Sequence, residues 1–432
     1  MKTRTILCCL VLLCAFCAEK ATAQIKAYVC EGYDDEDINI SSKTDISFSA
    51  DKSTVTVGKE TFNVEDVDSI LFHKPKFNSV DIVWNGNSAT VTIPSSIKGV
   101  TSSVSGGHVT ITSTNTSEEL LYVLSGSSTN GSLTLNGNYK LRMHLNGVSL
   151  SSSKGAALDI ECGKRVEVKL MKGTVNSLED CTQGSQKAAF YTKGHLEIKG
   201  KGTLNVKGKT KHAICAKEYL QLKTSTGIIN ILGAVSDGIH CGEGDKSLPE
   251  NCRFIMNGGN VTISGCGSDC IDSDDYGSMF INGGTANLNV SQSDGAGLKC
   301  DSIIYMTDGN INLNVTGTIS QGIRFAYDAF FDGGKVEGTI SGNGSKGFKA
   351  KKTTAGTTVN NGGDAHFRGT DVTLTLSAGT YTADGTKCGG IRVDKNMYQT
   401  AGNIHITKTN SAAVPIEVKG TDSKTGGTRV ED

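Results

Sequence analysis

Short runs of alternating apolar and polar residues, each closed by glycine, recur along the chain at a fixed period. Ile281-Asn-Gly-Gly-Thr returns as Met306-Thr-Asp-Gly-Asn and as Phe331-Asp-Gly-Gly-Lys, 25 residues apart each time. A second motif keeps step with the first: a small residue, a large apolar one, then a polar one. It reads Cys270-Ile271-Asp272, Gly297-Leu298-Lys299, Gly322-Ile323-Arg324 and Gly347-Phe348-Lys349. Repeats of this length cannot bury their own apolar faces and must share one core by stacking. The pattern predicts a parallel β-helix.

The large apolar residue serves as an anchor. It recurs as Leu158, Phe190, Ile214, Ile239, Ile271, Leu298, Ile323, Phe348, Ile391 and Ile416, in steps of 32, 24, 25, 32, 27, 25, 25, 43 and 25 residues. The long steps coincide with polar or glycine-rich inserts (Leu178–Ser185, Gly242–Asn251, Lys352–Arg368). Alternation puts each anchor and the residue two beyond it inside, as in Ile323 and Phe325, with the residue between them outside. Two further strands per repeat follow, such as Met279 and Ile281, then Leu288 and Val290. Between them Gly259, Gly284, Gly309 and Gly334 share one position, where a turn with positive φ suits glycine. The full expectation is all-β: a right-handed parallel β-helix of about 25 residues per coil over 147–420. Its hand follows the general preference of parallel crossovers.

Upstream the pattern changes. Residues 77–146 alternate without the 25-residue frame, as a β-rich cap on the open end of a stack would, and the lone Trp84 there reads as core. Residues 24–76 form a small β-rich lead-in whose run Asp34-Asp35-Glu36-Asp37 lacks the alternating ligands and glycine of a calcium loop. It reads as a solvated turn. Residues 421–432 read as a flexible tail. Residues 1–23 carry Lys2 and Arg4, an apolar run from Ile6 to Ala18, and Ala21-Thr22-Ala23 at the cleavage position. They are read as a signal peptide for export to the periplasm, cell surface or medium.

Gly 53 with Pro 4 in 432 residues agrees with many tight turns, and a net charge of -1 gives no global field for nucleic acid or membrane. Of 14 cysteines, four leave with the leader. Cys241 with Cys252, and Cys162 with Cys181, flank inserts and are candidates for loop-closing disulfides. Cys241 and Cys300 share an inward column two strands apart, at about 9.6 Å, beyond disulfide reach.

The candidate chemistry lies on the outward residue after each anchor: Asp159, Tyr191, Cys215, His240, Asp272, Lys299, Arg324, Lys349, Arg392 and Glu417. Lys299, Arg324, Lys349 and Arg392 are successive cations spaced at about 4.8 Å, close to the rise of one sugar in an extended polysaccharide. Such a ladder could match carboxylates of successive uronic acids, or could be a solvated face neutralised by its neighbours. His240 and Asp272 continue the candidate sugar-binding row. Beside it Asp272, Asp274 and Asp301 crowd one face, with Asp237 and Asp269 in the preceding turns. These five are candidate ligands for calcium, with aspartates capping backbone amides as the competing reading.

Gly184–His195, Gly208–Ala213, Ser236-Asp-Gly-Ile239, the Asn-Gly-Gly turns and Leu133–Lys140 resemble the carbohydrate-binding β-helix family of exported bacterial proteins, whose architecture is similar to that of pectate lyases. The resemblance covers roughly Ser79 to Gly420. It implies a right-handed parallel β-helix, bound calcium, and affinity for cellulose or an acidic plant polysaccharide such as polygalacturonate. It places the calcium aspartates at Asp237 and Asp269, with Asp272, Asp274 and Asp301 as additions. Three functions compete: a non-catalytic polysaccharide-binding protein, a calcium-dependent pectate-type lyase with Lys299 or Arg324 as base, and a surface adhesin using the repeats as a stalk.

Overall fold

The structure is a computed structural model that describes residues 25–31, 34–40, 45–64, 67, 69–73, 78–242, 249–274, 276–350, 353–355, 358–360 and 362–432. The expected leader at 1–23 lies outside the described residues, as do 243–248 and parts of 351–361 within the expected inserts. The chain divides into two compact units, one ending at Phe77 and the other spanning Asn78–Asp432. No helix among the described residues is long and apolar enough to cross a membrane.

In the first unit, Ile25–Glu31 pairs antiparallel with Asp34–Ile40 and with Ser69–Leu71. Ile46–Phe48, Thr54–Val57 and Glu60–Asn63 form a small antiparallel sheet. Ala27, Val29, Ile38, Ile40, Val55 and Val57 make its core. The acidic run is therefore a strand, not the expected turn. Ile38 and Ile40, continuing its alternation, are buried and hold it in the sheet, while Asp37 accepts from Lys26 at 2.7 Å.

The larger unit is built from a 22-stranded and a 13-stranded sheet. Ten strands of the former are β1 (Leu141–Ser151), β2 (Val166–Leu170), β3 (Val175–Glu179), β4 (Leu196–Lys199), β5 (Thr203–Gly208), β6 (Leu220–Leu222), β7 (Ile228–Ala234), β8 (Phe254–Met256), β9 (Asn260–Ile263) and β10 (Met279–Val290). Their parallel pairings run β1–β2–β4–β6–β8–β10. They return as β10–β9–β7–β5–β3–β1. The circuit closes, giving a ten-strand parallel barrel with further strands outside it. This corrects the expected open, right-handed β-helix solenoid. The physical reason is at the corners. β1 and β10 pass through Gly147 and Gly284, at φ +76° and +84°, without ending. Each corner bends one continuous strand, so two faces expected to be separate join into one sheet.

The glycine corner itself is where the period places it: Gly259, Gly284, Gly309 and Gly334 all have positive φ. At Gly284 a Cβ would meet the backbone of Gly258 and Gly259 at 2.7 Å, so the position excludes side chains as well as negative φ.

The anchors lie side by side in the 13-stranded sheet, from Leu158 through Ile416. The column also runs back to Leu133 and Val109, past the boundary drawn at residue 147. There the outward neighbours are threonines rather than charges, which hides the motif. Trp84 is buried and donates its indole N–H to the Gly107 carbonyl at 2.7 Å. At the other end the polar tail is not frayed. Asp422–Lys424 and Thr428–Glu431 pair with the strands before them, helped by a corner at Gly427 with φ +70°. Val414–Val418 is the last strand of the 13-stranded sheet.

Every cysteine among the described residues is a free thiol. Cys162 donates to the Tyr139 carbonyl and Cys181 accepts from Gly155 N–H, so that expected bridge is replaced by separate local bonds. Cys241 likewise donates to the Asp272 carbonyl and is not bridged to Cys252. Cys241 and Cys300 are in one column with Ser273 between them.

Candidate functional site

The strands of the 13-stranded sheet depart from simple alternation beside the anchors. Ala213 and Ile214 are adjacent, yet both are fully buried in the main core, as are Ala189 and Phe190. Two consecutive inward residues push the one before them to the outer side. Ala188 accordingly packs with Tyr191 and Cys215 in a separate outer cluster. Two outer columns result, one residue after the anchors and one two before them. The second contains His212, Asp237, Asp269, Gln321 and Lys346, and strict alternation assigns it to the interior. That is why sequence reasoning passes over His212 and Lys346. The available signal is a polar residue two before an anchor.

The first column is in register from Asp159 to Glu417. It is not an exposed ladder along its length. Asp159, Tyr191, Cys215, His240 and Asp272 are buried, whereas Lys299, Arg324, Lys349 and Arg392 are half-buried.

Where the columns meet at the middle of the sheet they form a buried charged cluster. The His212 and His240 rings stack with centroids 4.2 Å apart. Asp237 Oδ2 lies 3.0 Å from His212 Nδ1 and 3.1 Å from His240 Nδ1. Its Oδ1 accepts the Asp269 N–H at 3.0 Å, and Asp269 Oδ1 accepts the Ala296 N–H at 2.7 Å. Lys299 Nζ donates to Asp272 Oδ2 at 2.9 Å. The expected pair of turn aspartates thus does bind backbone amides, and Asp272 belongs to Lys299.

Burial opposes the charge on Asp237. The close His212 ring, a hydrogen bond from His240 and one from the Asp269 N–H outweigh it and hold the carboxyl well below the usual range. Burial also opposes charge on His240, but Asp237 and Asp272 raise its pKa to about 9. His212 is lowered, chiefly by burial, and burial pushes Asp269 up to about 6. Lys299 is raised above its ordinary value because Asp272 overcomes the cost of burial.

Asp274 and Asp301 adjoin this group, and Lys299 is drawn to Asp301 as well. They share a side-chain hydrogen bond, and burial together with that bond pushes Asp301 up to about 7. The five expected calcium ligands therefore divide. Asp237, Asp269 and Asp272 are near one another but already carry His212, His240 and Lys299; Asp274 and Asp301 crowd each other.

The cationic end is built differently. Arg324 donates to Gln321 Oε1 at 3.3 Å, and Arg392 lies 3.5 Å from Asp394 and 3.8 Å from Glu417. Lys346, 3% exposed, donates to the Gly344 and Lys387 carbonyls. Burial first, then Arg392 and Lys349, lower its pKa to about 8.

A different outer row carries stacked aromatic rings. Phe280, Tyr305, Phe330, His366 and Tyr398 follow one another with centroids 5.4, 5.0, 4.7 and 5.0 Å apart. The first three recur every 25 residues, so the row was legible in the sequence but overlooked. Each ring face is covered by the next ring, so the row offers ring edges rather than open platforms for a sugar.

A family profile for "Carbohydrate-binding domain-containing protein" matches residues 105–373, more than half of the chain. A solved structure similar to it is that of the polysaccharide lyase-like protein from C. thermocellum in a gadolinium derivative. It is 19% identical with a TM-score of 0.38, and the match covers 72% of this chain and 99% of that one. Curated protein sequences give no match. By the profile over its repeats, the chain belongs to the family of carbohydrate-binding domain-containing proteins.

Proposed function

We propose that the protein is an exported, non-catalytic polysaccharide-binding protein that takes an acidic, uronate-containing glycan along Arg324, Lys349 and Arg392. Export rests on the leader-like residues 1–23. The observation that carries the choice of an acidic glycan is the side-by-side register of Arg324, Lys349 and Arg392, three half-buried cations on adjacent strands whose like charges build a positive potential. Carboxylates laid along the row would relieve that potential, with arginine offering two parallel donors to each. Lys299 belongs less to the row than the spacing suggests, since Asp272 already occupies its ammonium.

Exposed charge contacts are worth about 0.2–1 kcal/mol each, so affinity for polygalacturonate should grow with oligomer length and fall steadily with added salt. In a salt series, Arg324→Ala combined with Lys349→Ala should bind more weakly and depend less on salt. Binding equal to that of wild type would reduce the row to a solvated face and leave the adhesin reading. Release of an unsaturated uronate would instead identify a lyase. The two bases considered for that reaction are poorly suited: Lys299 is held protonated by Asp272, and arginine stays charged in proteins.

Calcium is proposed at Asp274 and Asp301, whose all-oxygen crowding suits a hard cation. Its binding would relieve their repulsion. Chelation should lower the melting temperature of the wild type and leave that of an Asp274→Ala, Asp301→Ala double variant nearly unchanged. Equal shifts in the two proteins would remove calcium from these residues.

A further inference from the structure

Two donors in the buried cluster are imidazoles, and this gives it a coordination chemistry unlike that of Asp274 and Asp301. Asp237 Oδ2 stands 3.0 Å from His212 Nδ1 and 3.1 Å from His240 Nδ1. His240 Nδ1 stands 3.5 Å from Asp272 Oδ2. Four ligands around a tetrahedral ion with bonds of about 2.0–2.1 Å lie about 3.3–3.4 Å from one another. The two separations at Asp237 fall just short of that spacing.

Hydrogen bonding leaves one of these atoms unaccounted for. His212 Nδ1 is buried against a carboxylate oxygen without meeting it in hydrogen-bond geometry. Buried polar atoms are nearly always satisfied, so an orphan nitrogen aimed at the Asp237 carboxylate asks for an explanation. His212, Asp237 and His240 bring their ligand atoms within 4.8 Å of one another.

We propose that His212, Asp237 and His240 form a three-ligand site for a borderline divalent cation of the zinc class, with the fourth coordination position left to water. Calcium does not fit here, because it takes six to eight oxygen ligands at about 2.3–2.6 Å, whereas imidazole nitrogen suits zinc, copper and nickel. The surrounding bonds pre-set the ligands. The Asp269 N–H holds Asp237 Oδ1 and leaves Oδ2 turned to the two histidines. Lys299 supplies the positive charge at Asp272.

The test uses full-length protein stripped with a chelator and refolded with cobalt(II) as the probe. One equivalent should give the intense visible absorption of four-coordinate cobalt, displaced by zinc and not by calcium. His212→Gln and His240→Gln should abolish the spectrum and weaken zinc binding by more than the roughly 10–100-fold that loss of an outer-sphere partner costs. Should either variant fail to fold, the wild-type spectrum decides alone. Uptake of cobalt only in the weakly absorbing six-coordinate form, or no uptake, overturns the proposal. An Asp274→Asn, Asp301→Asn double variant should keep the four-coordinate spectrum; its loss there would put the metal at the other carboxylates and also overturn it.

Discussion

Asp237→Ala is expected to destabilise the larger unit by about 3–5 kcal/mol, measured by denaturant unfolding in the presence of chelator. Removing one partner of a buried ion pair costs this much because the other partners stay buried and lose their compensation. Here His212, His240 and the Asp269 N–H would all lose the same carboxylate. The pH profile carries a second signature. The carboxyl of Asp237 is held below its ordinary value, so its contribution is present above about pH 4 and is lost as pH falls. His240 is raised to about 9, so its contribution is complete below about pH 6.5 and is lost as pH rises through about 9. A shift of that size corresponds to about 3 kcal/mol. His240→Gln should therefore flatten the alkaline side of the wild-type stability curve between about pH 6.5 and 9. An unchanged slope would mean that His240 is neutral in the folded protein.

Phe348→Ala should cost about 3–5 kcal/mol, the range for emptying a buried aromatic site that relaxes only in part. Phe348 is 1% exposed in the anchor column, and its ring meets Phe331 edge-on at 5.2 Å and Phe367 at 5.6 Å. Phe331 and Phe367 stack on each other at 5.0 Å, so the loss falls on a packed group of three rings. Phe348→Leu keeps most of the volume and should cost clearly less. The adjacent outward change Lys349→Ala should shift stability by no more than about 0.5 kcal/mol. Comparable unfolding midpoints for Phe348→Ala and Lys349→Ala would contradict the inward placement of the anchor.

The sequence made the anchor column legible because burial demands one large apolar residue at the same place in every repeat. The corner glycines were legible for an equally local reason, their positive φ. Closure of the barrel was not, since Gly284 reads as the end of a strand whether or not hydrogen bonding continues through it. Val109 and Leu133 escaped because threonine follows each of them where later repeats carry charge. His212 and Lys346 escaped because the two consecutive inward residues that expose them leave no mark in a hydrophobic period. The carboxylates around Asp272 were recognisable as neighbours. Which of them would meet a histidine or lysine depends on the side-by-side placement of two columns, and a single period does not encode that.

The strand Val414–Val418 has a consequence for how the molecule behaves in company. The last strand of a long sheet is a template on which another chain could add, and stacked parallel strands are well suited to growing into filaments. Pro415 has no N–H to offer an incoming strand. Glu417 is drawn to Arg392 at 3.8 Å, and Lys419, just beyond, to Asp394 at 2.9 Å, which leaves charge along the border that a second copy would have to desolvate. The regularity that lets each repeat recruit the next is thereby interrupted at this edge, where a further strand would find a missing donor and charge to desolvate.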